Sequence, residues 1–336
     1  MQETEGPGPN TTPTTEASTD GSGVAMQPEM EAPVSVPLAQ NIFLGPRGLR
    51  AGWSMLVFMA FVAGIGLLAS RGLALLLAHF HLVALAHHAG EAPVLPSALG
   101  EAVGLLSVLL ATAIMARMEH RPALSYGLAG THRLLHFAVG LLCGFGFLSL
   151  LVGILVGTHH MQLNAPTLPA SILWKYAAAW GCVFLLVGFF EELLMRGYLL
   201  FTLARAVRFW PAAVLLAVLF GALHKGNPGE SPFGLATAAG AALLFSLSLW
   251  RIGSLWWAIG FHAAWDWAQS YFYGTADSGT LSHGHYLTAH PIGTVWLSGG
   301  ATGPEGSLWC GAVLLLAALW VLGTQRKTAT AFPVQS

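Results

Sequence analysis

Eight stretches of the chain are apolar for about as long as a bilayer is thick, and this constrains the fold more than any other property of the sequence. They run from Trp53 to Leu77, Ser97 to Met115, Leu134 to Val156, Ser171 to Leu194, Pro211 to Leu223, Gly234 to Leu249, Leu255 to Tyr271 and Leu308 to Leu322. A hydrocarbon core of about 30 Å is crossed by about 20 helical residues. Inside it every backbone N–H and C=O needs an internal partner, so such stretches become helices. The expected fold is therefore all-α, a polytopic transmembrane bundle of about eight helices with a buried catalytic cavity. Composition agrees, since 55% of residues are hydrophobic and only 9% are charged, against roughly 25% charged in a soluble domain.

Basic residues give the orientation. With a cytoplasmic N-terminus, the inner segments hold Arg47, Arg50, Arg117, Arg121, Arg133, Arg196, Arg205, Arg208, Arg251, Arg326 and Lys327, while only Lys175 and Lys225 fall outside. Eleven against two is the positive-inside asymmetry of an even helix count with both termini cytoplasmic. A multi-pass protein of a bacterial inner membrane fits a short chain with no targeting segment.

Residues 1–45 read as a disordered tail. They are acidic and rich in Thr, Pro and Gly, and they carry neither the basic start nor the apolar core of a signal peptide. Residues 46–174 then read as N-terminal transmembrane helices and 175–272 as the functional core. Residues 273–336 read as an outer loop, a last transmembrane helix and a short C-terminal tail. Cys143, Cys182 and Cys310 all lie in apolar runs and read as small buried hydrophobes, not as a disulfide frame. A formal net charge of -1 offers no polyanion-binding surface, so nucleic acid is not an expected partner, whereas membrane lipids and a peptide or protein substrate are. Nine histidines fall in outer segments (His79, His81, His87, His88, His159, His160, His283, His285, His290) and read as ordinary loop residues.

Ionisable groups inside the spans are the chemical signal. At mid-depth a charge costs at least about 2.5 to 3.5 kcal/mol by insertion scales, which makes each one a functional hypothesis. They are Arg71, Glu101, Glu191, Glu192, Arg196 and Asp266, joined by His224 and His262. Arg71 and Glu101 read as structural or water-facing groups. The others gather between 191 and 266. If the fourth helix turns near residue 208, Glu191 and His224 stand about 17 and 16 residues from that turn, at roughly the same depth of 25 Å. His262 and Asp266 fall in the same depth band on the seventh helix. Glu192 and Arg196 are spaced i,i+4 and can neutralise each other, leaving Glu191, about 100° away round the helix, free for chemistry. His262 and Asp266 are also i,i+4, so one helix face presents both.

At these positions the chain resembles the CPBP family of intramembrane proteases, which includes type II CAAX prenyl endopeptidases and bacteriocin-processing or immunity proteins. The motif EExxxR is present as Glu191-Glu192-Leu193-Leu194-Met195-Arg196, FxxxH as Phe220-Gly221-Ala222-Leu223-His224, and HxxxD as His262-Ala263-Ala264-Trp265-Asp266. The resemblance spans about residues 175 to 272 and implies catalytic roles for Glu191, His224 and His262; Glu192, Arg196 and Asp266 complete the candidate catalytic set, with Glu192 and Arg196 also readable as a buried pair that orients the helix. Many members carry Asn at the last position. Asn can donate a hydrogen bond to an oxyanion, whereas an ionised Asp only accepts.

The expected activity is hydrolysis of a peptide bond in a membrane-associated peptide or protein. Glu191 would serve as general base, His224 would position the water, and His262 with Asp266 would stabilise the intermediate. The same four residues, Glu191, His224, His262 and Asp266, suit a second version in which they hold a single divalent metal such as zinc. The chemistry otherwise requires no cofactor, and the residues leave both versions open. Two rival readings are a non-catalytic immunity or scaffold protein and a transporter. A transporter would show two matching halves with interrupted helices, and none is visible.

Overall fold

The computed structural model describes residues 43–45, 48–80 and 93–324. The proposed tail before residue 43, Arg47, Arg326, Lys327 and the histidines at 81, 87 and 88 lie outside the described residues. The chain forms the all-helical bundle expected of it. Its helices are α1 (Ala51–His79), α2 (Val94–Met118), α3 (Arg133–Gly157), α4 (Ala170–Glu192), α5 (Leu200–Val207), α6 (Phe209–Leu223), α7 (Pro232–Ile252), α8 (Trp256–Trp267) and α9 (Leu308–Thr324). Strand pairing among the described residues is confined to two short ladders: β1 (Leu44–Gly45) with β2 (Gly48–Leu49), and β3 (Met161–Asn164) with β4 (Thr288–Pro291).

Six of the eight expected segments form helices long and apolar enough to cross a membrane, counting α4 and α5 as one continuous rod from Ala170 to Val207. The other two are shorter. Residues 308–324 make a 17-residue helix. Residues 256–267 make a 12-residue helix prolonged by a π-helical turn over Ala268–Phe272. The shortness of α8 follows from its position. Trp257 to Phe261 and Ala263 to Asp266 are all buried, so this helix is apolar all round because it is wrapped by others rather than by lipid. On α1, by contrast, Leu56, Leu67, Leu68 and Leu75 point outward, as a lipid-facing helix requires. The structure therefore shows an integral membrane bundle, in keeping with the composition.

Three glycines bring α3 and α8 together. A Cβ added to Gly140 or Gly144 of α3 would meet the backbone carbonyls of Trp257 and Phe261 at 2.3 and 2.1 Å, and one added to Gly260 of α8 would meet the Phe137 carbonyl at 2.3 Å. Without side chains at these points the two backbones touch, which is the small-residue packing that membrane helices use in place of a hydrophobic driving force. This contact fixes the axial position of α8, and with it His262 and Asp266.

The connections are pinned at both ends. Arg208 (φ 69°) makes the tight reversal between α5 and α6, at the residue where the hairpin reading puts it. Ser231 caps α7 by accepting from the Gly234 amide, and Pro232 occupies its first turn, two residues earlier than the apolar run implies. The β3–β4 ladder pairs Met161 with Pro291 and Asn164 with Thr288. It holds the segments that follow α3 and α8 on one face, as their helix parity requires. On the opposite face Glu119, just past α2, accepts from both guanidinium nitrogens of Arg205 at 2.9 and 3.1 Å and from the hydroxyls of Tyr126 and Tyr198.

Candidate active site

The paired glutamates end α4, and the backbone changes character immediately after them. Leu193–Leu199 is π-helical, with Gly197 at φ -80°, ψ -117°. Single π turns inside α-helices interrupt the regular ladder and occur often at functional sites. Here the turn carries Arg196. Its Nη1 donates to Glu192 Oε1 at 3.0 Å, and both side chains are buried. The guanidinium also lies 4.6 Å from the ring centroid of Phe220 and 5.5 Å from that of Phe245. A desolvated cation is thus held by one carboxylate and two aromatic faces.

Glu192 does more than pair with Arg196. Its Oε1 also stands 3.0 Å from His262 Nδ1. A carboxylate accepts, so Nδ1 carries the hydrogen, which points Nε2 away from Glu192. Nε2 then sits 3.5 Å from Asp266 Oδ2 and 3.7 Å from Glu191 Oε2. Phe245 stacks on the imidazole with centroids 5.2 Å apart. One histidine is therefore ringed by three carboxylates and flattened against a phenyl ring that also covers Arg196.

The FxxxH pair acquires a similar account. His224 Nδ1 lies 2.8 Å from the Phe220 carbonyl, one turn back on the same helix. A carbonyl can only accept, so Nδ1–H is the donor and Nε2 is left as the lone-pair side. The two rings pack at 4.6 Å. Phe220 thus supplies the carbonyl that sets the tautomer of His224 and one of the faces that shelter Arg196.

Glu191, His224, His262 and Asp266 all line one cavity of about 260 Å³. Glu192 and Arg196 do not border it; they lie behind His262. The cavity walls come from α2, α4, α6, α7, α8 and α9 and from the segment between α8 and α9. Three of the acidic residues lining it are outside the sequence-derived candidates: Glu101, Asp277 and Glu305. Glu101 carried a signal, a carboxylate within an apolar helix. Asp277 and Glu305 sit in a polar connection, where an acidic residue is unremarkable by sequence. Glu305 accepts from Trp265 Nε1 at 3.0 Å, from the Ser278 amide at 3.2 Å and from the Ser278 hydroxyl at 3.0 Å. Asp277 accepts from the Ser270 hydroxyl at 3.0 Å.

Among the described residues no three His, Cys, Asp or Glu side chains are arranged to hold a metal. Nδ1 of His262 faces Glu192 and Nδ1 of His224 faces a carbonyl, so in both rings Nε2 is the nitrogen left for the cavity.

Residues 173–268 match the family model described as type II CAAX prenyl endopeptidase Rce1-like. The match bears out the resemblance drawn from the three motifs. The Rce1-like segment begins in α4 and ends at the start of the π turn after α8, so it contains all three motifs and excludes α1 to α3, the segment carrying Asp277 and Glu305, and α9. At family level the match supports an intramembrane protease, a hydrolase acting on peptide or protein. No curated protein and no solved structure gives a match.

Proposed function

We propose that the protein is an intramembrane endopeptidase that activates water with Glu191. The observation that carries this reading is the convergence of Glu191, His224, His262 and Asp266, from three separate apolar helices and their ends, on a single small cavity. The Glu191 carboxylate takes a proton from a water that the Nε2 lone pair of His224 orients. The resulting hydroxide adds to the scissile carbonyl carbon, and negative charge develops on its oxygen. The donor for that oxygen is Nε2–H of His262 in its imidazolium form, a charge that Glu191, Glu192 and Asp266 around the ring favour. Glu192 fixes the imidazole from behind, and Asp266 flanks Nε2 at 3.5 Å. Glu191 then passes its proton to the amide nitrogen as the C–N bond breaks, leaving a carboxylate and an amine. A donor placed in advance and shielded from bulk water stabilises the oxyanion without reorganisation.

We read both termini as cytoplasmic, a reading supported by the positive-inside bias of Arg117, Arg121, Arg205 and Arg208, and a bacterial inner membrane suits the chain. The substrate reaches the site from the bilayer or from the face that carries the β3–β4 ladder.

The test is a screen of membrane peptides against the purified full-length protein in liposomes, with products sequenced by mass spectrometry. Glu191→Gln and His224→Ala are each expected to lower cleavage by about 10²-fold or more, the usual contribution of a positioned acid or base. Undiminished cleavage by Glu191→Gln would remove it as the base.

A further inference from the structure

The cavity is acidic well beyond what hydrolysis demands. Glu101, Glu191, Asp266, Asp277 and Glu305 all line it, and no lysine or arginine among the described residues does. Its basic groups are His224 and His262. The nearby Arg196 is 2% exposed, neutralised by Glu192 and covered by Phe220 and Phe245, so its charge is withheld from the space. His262 faces only Glu191, Glu192 and Asp266 directly, so grouping the remaining acids in a low-dielectric site is costly unless a further cation arrives to share them.

The three carboxylates not needed for the reaction are built in rather than loosely hung. Glu305 is fixed by Trp265 and by two donors of Ser278, and Asp277 by Ser270, so both present oxygens from set positions. Glu101 lines the same cavity from α2, and its Oε2 is buried without a hydrogen-bond partner. Burial, together with the negative neighbours Asp266 and Glu305, holds the Asp277 carboxyl well above the usual carboxylate range. A cationic guest relieves that repulsion and lets the group ionise.

We propose that the cavity recognises a peptide through a Lys or Arg side chain next to the scissile bond, and that it disfavours a free C-terminal carboxylate in the same place. The proposal rests on the reading of the cavity as a protease site, and it separates this protein from enzymes whose cleavage site lies close to the chain end. The recognising surface is Glu101, Asp277 and Glu305, all three of which come from outside the Rce1-like segment.

The experiment uses the full-length chain in nanodiscs of neutral phosphatidylcholine, so that lipid charge does not concentrate the peptide. Binding is read with Glu191→Gln protein and a membrane-peptide library made in matched forms. Each position carries lysine, norleucine or glutamate, and each chain end is an amide or a free acid. Retention of the lysine form at least about tenfold above norleucine, a difference of about 1.4 kcal/mol, is expected, as is preference for the amide over the acid. In Glu305→Gln and in Asp277→Asn the lysine preference narrows. Gln retains an acceptor for Trp265, and thermal melting of both variants checks that the fold survives. Equal retention of lysine and norleucine, or preference for the acidic forms, overturns the proposal. In a parallel arm the native protein digests the same library, and cleavage sites enriched in Lys or Arg support the assignment. Cleavage with no such enrichment overturns it and leaves the protease reading standing. A lysine preference in binding with no cleavage by the native protein overturns the protease reading and leaves the cation site standing.

Discussion

Gly144→Ala tests the packing that positions half of the site. The added methyl would stand 2.1 Å from the Phe261 carbonyl oxygen, 1.3 Å short of the 3.4 Å at which contact becomes ordinary. A side chain could rotate aside, but this oxygen belongs to the backbone of α8, so the helices must separate. Phe261 immediately precedes His262, whose Nδ1 sits 3.0 Å from Glu192. A shift of about 1 Å there takes the pair out of hydrogen-bond range and moves Nε2 within the cavity. Misplacement on that scale costs about 10²-fold in rate, and overpacking of this kind costs typically 1 to 3 kcal/mol in stability. Gly146→Ala is the matched control, since a Cβ there meets nothing within 4 Å. Cleavage of any peptide found in the liposome screen, with thermal unfolding in detergent, measures both effects. Should Gly144→Ala melt and cleave like Gly146→Ala, the close approach of α3 and α8 and its role in setting His262 are refuted.

Glu192→Gln leaves Arg196 a buried cation without a counter-charge, and the expected loss is about 3 to 5 kcal/mol in stability. Because Gln still offers His262 an acceptor, cleavage per folded molecule falls less than the melting temperature suggests, which a melt beside a single-turnover assay resolves. His224→Ala inverts that pattern: its ring hydrogen bond goes to a carbonyl of its own helix, so activity collapses while the melting temperature moves little. For Glu119, burial opposes ionisation, but hydrogen bonds from Arg205, Tyr198 and Tyr126 outweigh it and hold the carboxyl below its ordinary value. A depressed folded-state value means that this stabilisation, about 1 to 3 kcal/mol, is present above the unfolded carboxylate pKa and disappears as pH falls through the folded one. Melting temperature measured downward from pH 6 is therefore expected to drop more steeply in the native protein than in Glu119→Gln.

The helical fold was legible because the bilayer imposes it: a run of apolar residues of the right length has few alternatives. The hairpin arithmetic also worked, since Arg208 does reverse the chain and Glu191 and His224 reach one cavity from its two sides. Regular i,i+4 spacing was enough to foresee the Glu192–Arg196 contact. It was not enough to foresee that Glu192 would also hold His262, because that bond joins residues 70 positions apart and depends on how closely α4 approaches α8. The π turn was invisible for a related reason. One extra residue in a helical turn leaves no trace in an apolar pattern, and its only hint was a glycine at 197. That α8 is enclosed by other helices was not legible, since a helix apolar on nearly every side reads the same whether lipid or protein surrounds it.

The acids of the cavity divide along the same line. Glu191 and Asp266 belong to motifs whose spacing announces chemistry, and the family match falls on that segment. Glu101, Asp277 and Glu305 belong to a helix and a connection that no motif covers; Glu101 lines the cavity from α2, while the β3–β4 ladder and the Trp265–Glu305 hydrogen bond tie down the connection that brings Asp277 and Glu305 to it. Hydrolysis fixes the identity of a few groups at set distances, so it leaves a pattern in sequence. Selection of a substrate asks only that charge of one sign face the space the substrate enters, and many backbones can deliver it. A chain can therefore keep the reacting residues of an endopeptidase while the groups around them choose a different peptide, and in this protein those groups present an acidic wall.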